Sequence, residues 1–138
     1  MNVARPVIKS RSSTETETVF YEAFMHCDIE VMSALWADDD VVCVHPGSGI
    51  ISGYEAVVRS WQHILENSQP TDIHYSLVSK SIVDDLAVHI VTEEIRNSGS
   101  VVAIVVATNV YRRFNHGWLM IEHHGSVVQQ EITTRTLQ

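Results

Sequence analysis

Three places in this chain carry side chains able to move a proton. The first is Val44-His45-Pro46-Gly47. The proline favours extended backbone at His45, and Pro46 with Gly47 then stops the strand. His45 is thereby placed at a strand end, where side chains can meet a cleft, and its imidazole titrates close enough to neutral pH to act as a general base or acid. The plainer alternative is a hydrogen-bonded loop histidine without chemistry. The second place is the strand-rich run from Leu86, in which His89, Val91 and Glu93 share one face and Ile90, Thr92 and Glu94 the other. Glu93 is a candidate pocket acid, set against the more ordinary reading of an exposed charge near the Asn97-Ser98-Gly99 turn. The third is His123-His124, whose side chains point to opposite faces of a strand and cannot both serve one site. His45, His123 and Glu93 match a two-histidine, one-carboxylate metal set in ligand type. No short ligand spacing supports such a set, so neither a metal nor a cofactor is expected.

Trp36, Trp61, Phe20 and Phe24 are either core aromatics or the walls of an apolar cavity, since the same side chains serve both uses. The elements that must carry these residues follow from periodicity. Thr14 and Glu17 form a capping-box pair in front of Val19, Phe20, Ala23, Phe24 and Cys27 at helical spacing. Asp28 caps a second helix with Ile29, Met32, Leu35 and Trp36 facing the core. A Gly/Ser-rich loop leads from His45 to Gly53, and a third helix runs to about Glu66 with Val57, Val58, Trp61, Ile64 and Leu65. From Pro70 the period becomes extended. Residues 73–83, 86–96, 101–114 and 118–129 read as long strands joined by hairpin turns at Asp84-Asp85, Asn97 to Gly99 and Asn115 to Gly117. In the last strand Trp118 shares a face with Met120, Glu122 and His124. Three helices and a four-stranded meander, with the short His45 strand at one edge, make an α+β domain whose sheet curls around helices on one face.

The chain has 138 residues, the size of one domain, with 45% apolar and 19% charged residues and a formal net charge of −8. No basic face suited to phosphates is visible, so nucleic acid is not an expected partner. Residues 1–13 lack periodicity and read as a poorly ordered lead-in, 14–129 as the domain and 130–138 as a polar tail. Cys27 and Cys43 fall in apolar runs and suit free buried thiols in a reducing compartment. The N-terminus lacks the apolar run of a signal peptide and no stretch is long enough to span a bilayer, so a cytoplasmic protein without membrane contact is expected.

Three strings, FYEAFMHCDIEVMSALWADDDVVCVHPGSG, SGYEAVVRSW and ATNVYRRFNHGWLMIEHHGS, resemble the nuclear-transport-factor-2-like (NTF2-like) superfamily, in its SnoaL-like and ketosteroid-isomerase-like branches. The last string is also similar to the hub domain of the calmodulin-dependent kinase. The resemblance implies a cone of helices on a curved, mostly antiparallel sheet, and an oligomer, most simply a homodimer, through the sheet's outer face. It places His45 where the isomerases hold the aspartate that shuttles the proton. It places Asn109 in the cavity, where the isomerases hold a protonated acid and the kinase hub an arginine, and it turns His123 inward and His124 outward. Trp36 and Trp61 match the tyrosines that buttress the isomerase oxyanion hole, whereas the principal oxyanion tyrosine aligns near Phe20. Tyr21 is next to it, about 100° further around the helix. Steroid isomerisation by the familiar scheme is therefore not expected.

Two functions are compatible with these residues. One is an enzyme that needs no cofactor and moves a proton on an apolar carbonyl compound by isomerisation, cyclisation or dehydration. His45 would be its base or acid, Asn109 its oxyanion donor, and Trp36, Trp61, Phe20, Tyr21, His123 and Glu93 its lining. The other is a binding or assembly domain without catalysis.

Overall fold

The computed structural model describes residues 7–128. The chain runs α1 (Ser13–Met25), α2 (Ile29–Ala34), β1 (Val42–Val44), β2 (Ile51–Ser52), α3 (Tyr54–Glu66), β3 (Asp72–Val83), β4 (Leu86–Asn97), β5 (Ser100–Phe114) and β6 (Gly117–Val127). The strands form one sheet in the order β2-β1-β6-β5-β4-β3. Every pairing is antiparallel except β1 with β6, which is parallel because α3 and the meander separate them in sequence. This is the expected α+β cone. β2, which pairs with β1 inside the region read as a Gly/Ser-rich loop, is an addition to it.

The meander forms because each of its hairpins closes over two residues: Asp84-Asp85, Ser98-Gly99 and Asn115-His116. Asp84, Ser98 and Gly99 adopt the positive φ such tight turns require. Register shifts at Val78, Val102 and Ile121 each insert one residue and bend the sheet. The bulge at Ile121 also corrects the last strand's faces. Beyond it Tyr111 pairs with Met120 and Arg113 with Trp118, so Trp118 and Met120 lie on the inner side with His123, not outside with Glu122 and His124.

The helices cover one face of the sheet. Phe20, Tyr21, Met32, Leu35, Trp36, Val57, Trp61, Ala87, Val91, Tyr111 and Met120 are buried together between them. Trp36 contributes to this core from outside α2, which ends at Ala34, through a bridge to Met120. The cap of α1 is Ser12, whose Oγ accepts the Glu15 amide at 3.0 Å, while the Glu15 carboxylate returns to the Arg11 amide at 3.4 Å. The capping pair thus lies two residues before the expected Thr14 and Glu17. The physical reason is that Thr16 and Glu17 are used elsewhere: Thr16 donates to Trp118 O at 2.9 Å and Glu17 is buried. Asp28 caps α2 as expected, accepting the Val31 amide at 3.1 Å.

Part of the presumed lead-in is seated rather than loose. Ser10 is buried and its carbonyl accepts the Trp118 amide at 3.0 Å. A Cβ on Gly117 would fall 2.6 Å from that carbonyl, so glycine permits this close approach. Residues 1–6 and the expected tail at 130–138 lie outside the described residues. Cys43 is a buried free thiol and Cys27 a half-buried one. Among the described residues no helix is long and apolar enough to cross a membrane.

Candidate functional site

Register and helical spacing bring the candidate residues together. Asn109 lies opposite His89 on one side and His123 on the other, so these three share the sheet's inner face with Glu93 and Tyr111. α1 crosses that face with Glu17 and Tyr21 on one stripe and Phe20 and Phe24 on the next. The first stripe meets the polar residues of β4 and β5. The second packs against Trp61 of α3, with ring centroids 5.4 Å (Phe20) and 5.0 Å (Phe24) away.

The result is a continuous buried hydrogen-bond network. The Tyr21 hydroxyl donates to Glu93 Oε2 at 2.5 Å and accepts from Asn109 Nδ2 at 3.1 Å. Asn109 Nδ2 also donates to Glu17 Oε1 at 3.3 Å, and the same oxygen accepts the Tyr111 hydroxyl at 2.9 Å. His89 Nδ1 lies 3.1 Å from that oxygen but off the hydrogen-bonding direction, while its Nε2 is 2.9 Å from Ser13 Oγ. Turning the Asn109 amide over would set its carbonyl oxygen against the Glu17 oxygen, so Oδ1 faces His123 Nδ1, 2.6 Å away. His123 must then carry its proton on Nδ1, which leaves Nε2 as an acceptor. Both amide protons of Asn109 are spent within the protein.

Burial sets the charges here. It lifts the Glu93 carboxyl to about 7, helped by the nearby Glu17 and opposed by the Tyr21 hydroxyl. Burial, with His45 and His124 adding to it, lowers His123 to about 3, so this imidazole is neutral at physiological pH. Tyr21 is raised above the ordinary phenol range by burial and then by Glu93, and Tyr111 by burial and then by Glu17, so both remain hydroxyl donors.

His45 stands on the other side of the aromatic cluster, half-buried at the end of β1. Its ring meets Trp61 edge to face at 4.8 Å, its Nε2 is 2.9 Å from Ser60 Oγ, and burial lowers its pKa. Trp61 in turn lies 5.7 Å from the His123 ring, and Phe20 5.0 Å. His45, Trp61, Phe20, His123, Asn109, Tyr21 and Glu93 are therefore contiguous. Trp36 is wholly buried in the core, and its indole N–H has no hydrogen-bond partner among the described residues. Cys43 lies beneath His45 with its thiol pushed up to about 12 by burial, which the Trp61 indole partly offsets.

Three outcomes differ from the sequence reading. Glu93 is 2% exposed and lies within the buried network, not as an exposed charge near the Asn97 to Gly99 turn. Tyr21 points inward, on the stripe of α1 next to that of Phe20, and engages both Glu93 and Asn109. Glu17, His89 and Tyr111 complete the network without a sequence signal of their own, except that Glu17 stands at i, i+4 spacing to Tyr21, a spacing that the expected capping role masks. Among the described residues no group of three or more His, Cys, Asp or Glu side chains is disposed to hold a metal ion.

Solved structures share this architecture. The chain is 31% identical to a candidate calcium/calmodulin-dependent protein kinase type II association domain from Thiobacillus denitrificans, at a TM-score of 0.83 over 90% of this chain and 99% of that one. It is 37% identical to a candidate dehydratase of the NTF2-like family from Streptomyces avermitilis, at a TM-score of 0.73 over 83% of this chain and 92% of that one. A ketosteroid isomerase-like protein from Erwinia carotovora atroseptica, at a TM-score of 0.66 and 20% identity over 85% of this chain and 94% of that one, shares the fold. Among curated proteins the F-box protein SKIP8 of Arabidopsis thaliana is 29% identical over 120 residues, 86% of this chain and 51% of that protein. The chain thus spans about half the length of the curated relative it matches. Residues 15–130, nearly the whole cone, match the SnoaL-like domain, and the chain belongs to that family within the NTF2-like fold.

Proposed function

We propose that the cone binds an apolar or aromatic carbonyl compound and moves a proton on it, as an isomerase, cyclase or dehydratase would. The observation that carries this reading is the Tyr21–Glu93 pair, 2.5 Å apart and buried beside the neutral His123 and aromatic walls. A carboxyl titrating about pH 7 in such surroundings supplies an acid form that hydrogen-bonds a carbonyl oxygen. His45 then takes a proton from the adjacent carbon and returns it to another atom of the same substrate. Asn109, whose protons are committed to Glu17 and Tyr21, serves by holding Tyr21 and His123 rather than as the oxyanion donor itself. Phe20, Phe24 and Trp61 form the walls.

The test is a thermal-shift screen with ketosteroids, aromatic polyketide-like ketones and small hydroxy acids on the wild type, His45→Ala and Glu93→Gln. A ketone that raises the melting temperature of the wild type, loses that effect in either variant and is turned over by the wild type but not by His45→Gln supports the proposal. Hits that ignore all these substitutions, or binding without turnover, favour a second reading as a ligand-binding assembly domain. That reading draws on the likeness to the association domain and on an outer sheet face on which Val88, Ile90, Ile104 and Val106 are exposed or half-buried. On either reading that face is proposed as a homodimer interface.

A further inference from the structure

The His45 ring has two nitrogens, and the hydrogen bonds around it assign them different tasks. Nε2 lies 2.9 Å from Ser60 Oγ, and Ser60 Oγ lies 2.7 Å from the carbonyl oxygen of Val57, three residues back in α3. A carbonyl has no proton to give. At 2.7 Å the single hydroxyl proton of Ser60 must therefore be spent on Val57 O, the back-bonding that serine adopts within helices. Only lone pairs remain on Oγ for His45, so Nε2 is the donor across that contact.

The other nitrogen is thereby defined. In a neutral imidazole with its proton on Nε2, Nδ1 carries the lone pair. The Cys43 thiol, 3.9 Å from Nδ1 and 3.7 Å from Nε2, is a distant and weak partner that favours neither nitrogen. The Trp61 ring, edge to face at 4.8 Å, fixes the plane in which the two nitrogens lie. We propose that Ser60 is a positioning residue that fixes His45 as the Nε2–H tautomer, making Nδ1 the atom that accepts a proton from a ligand. When Nδ1 is protonated, the Nε2–H bond to Ser60 becomes charge-assisted, so the same contact supports the imidazolium. The inference rests on the reading of His45 as the base, but its structural half does not depend on any substrate.

The experiment reads the tautomer directly. Long-range proton–nitrogen correlation spectra of the uniformly nitrogen-15-labelled full chain at pH 8, with the His45 signals assigned by their loss in His45→Gln, report the protonation of each ring nitrogen. The wild type is expected to show a protonated Nε2 and an unprotonated Nδ1. Ser60→Ala is expected to give a mixture of the two tautomers, and Ser60→Thr, which keeps the hydroxyl, to restore the wild-type pattern. A wild-type spectrum with the proton on Nδ1, or a folded Ser60→Ala protein with an unchanged tautomer, overturns the proposal. Should a substrate be found, kcat is expected to fall about tenfold in Ser60→Ala with KM little changed, and to recover in Ser60→Thr. If no compound is turned over, the catalytic reading of His45 fails while the spectra still decide the role of Ser60.

Discussion

A carboxylic acid inside an aromatic cluster ties the protein's stability to pH, and Glu93 is the residue through which that tie can be measured. Its folded-state pKa stands at about 7, above the roughly 4.3 of an exposed glutamate. Between those values the unfolded chain has released the proton while the folded chain keeps it, so stability falls as pH rises and levels off above about 7. His123 acts in the opposite sense. Buried neutral with a pKa of about 3, it lowers stability as pH falls below the roughly 6.5 at which an exposed histidine takes up a proton. The Glu93 contribution is isolated by subtracting two denaturation series, wild type and Glu93→Gln, in which His123 appears equally. The amide keeps the size of the acid form and still accepts from Tyr21. The variant is expected to gain on the wild type as pH rises from 5 to 8, by about 2–3 kcal/mol. A difference independent of pH would show that Glu93 titrates like a surface carboxylate. Sequence periodicity gave the correct face for this residue but not its depth. Depth depends on α1 laying Tyr21 over Glu93 from 72 positions away, a pairing that no local pattern encodes.

At the scale of elements, the first helix separates what local sequence determines from what the fold determines. Its existence and apolar stripe follow from spacing, and its start appeared equally plain in the Thr14–Glu17 pair. Ser12 and Glu15 form the cap two residues earlier, Glu15 returning to the Arg11 amide, and the choice between the two pairs is tertiary. Seating Ser10 against Trp118 fixes where the helix begins, and burying Glu17 under Tyr111 and Asn109 removes it from the cap. The two assignments predict different mutational costs. Ser12→Ala removes the acceptor of the Glu15 amide and is expected to cost about 1 kcal/mol in urea denaturation. Thr14→Ala removes an exposed hydroxyl whose partner is the Lys80 ammonium and is expected to stay within about 0.5 kcal/mol. Equal costs, or the reverse order, would return the cap to Thr14. The strands show the same division. Their lengths and hairpin turns were legible, because long β-branched runs broken by Asp, Asn and Gly leave little choice. The bulge at Ile121 was not, since an inserted residue leaves no mark in composition while reversing the faces of Trp118 and Met120.

At the scale of the whole molecule, the helices leave the sheet asymmetric. On the inner side they bury β4, β5 and β6, whereas the outer side of β4 and β5 presents Val88, Ile90, Ile104 and Val106, each exposed or half-buried in the single chain. A central sheet face rich in branched apolar side chains is costly to hydrate, and covering it with the same face of a second copy satisfies both partners at once. The net charge of −8 is carried largely by turns and helices, with Asp38 to Asp40 and Asp84-Asp85 lying outside the strands, while on the outer face Glu94 is paired with Arg96 and Glu122 lies beside Val110. Placing a carboxylate at the centre of the face is the discriminating change, because a charge buried against its own symmetry mate is unpaired twice over. In sedimentation velocity the wild type is expected to run as a dimer and Val106→Asp as a monomer with an unchanged circular dichroism spectrum. Val7→Asp, equally apolar in origin and 68% exposed but on the N-terminal segment before α1, serves as the control and should remain dimeric. A wild-type monomer, or a Val106→Asp protein that still pairs, would show that the outer face is left to water, and that the branched residues serve only the propensity of the strands that carry them.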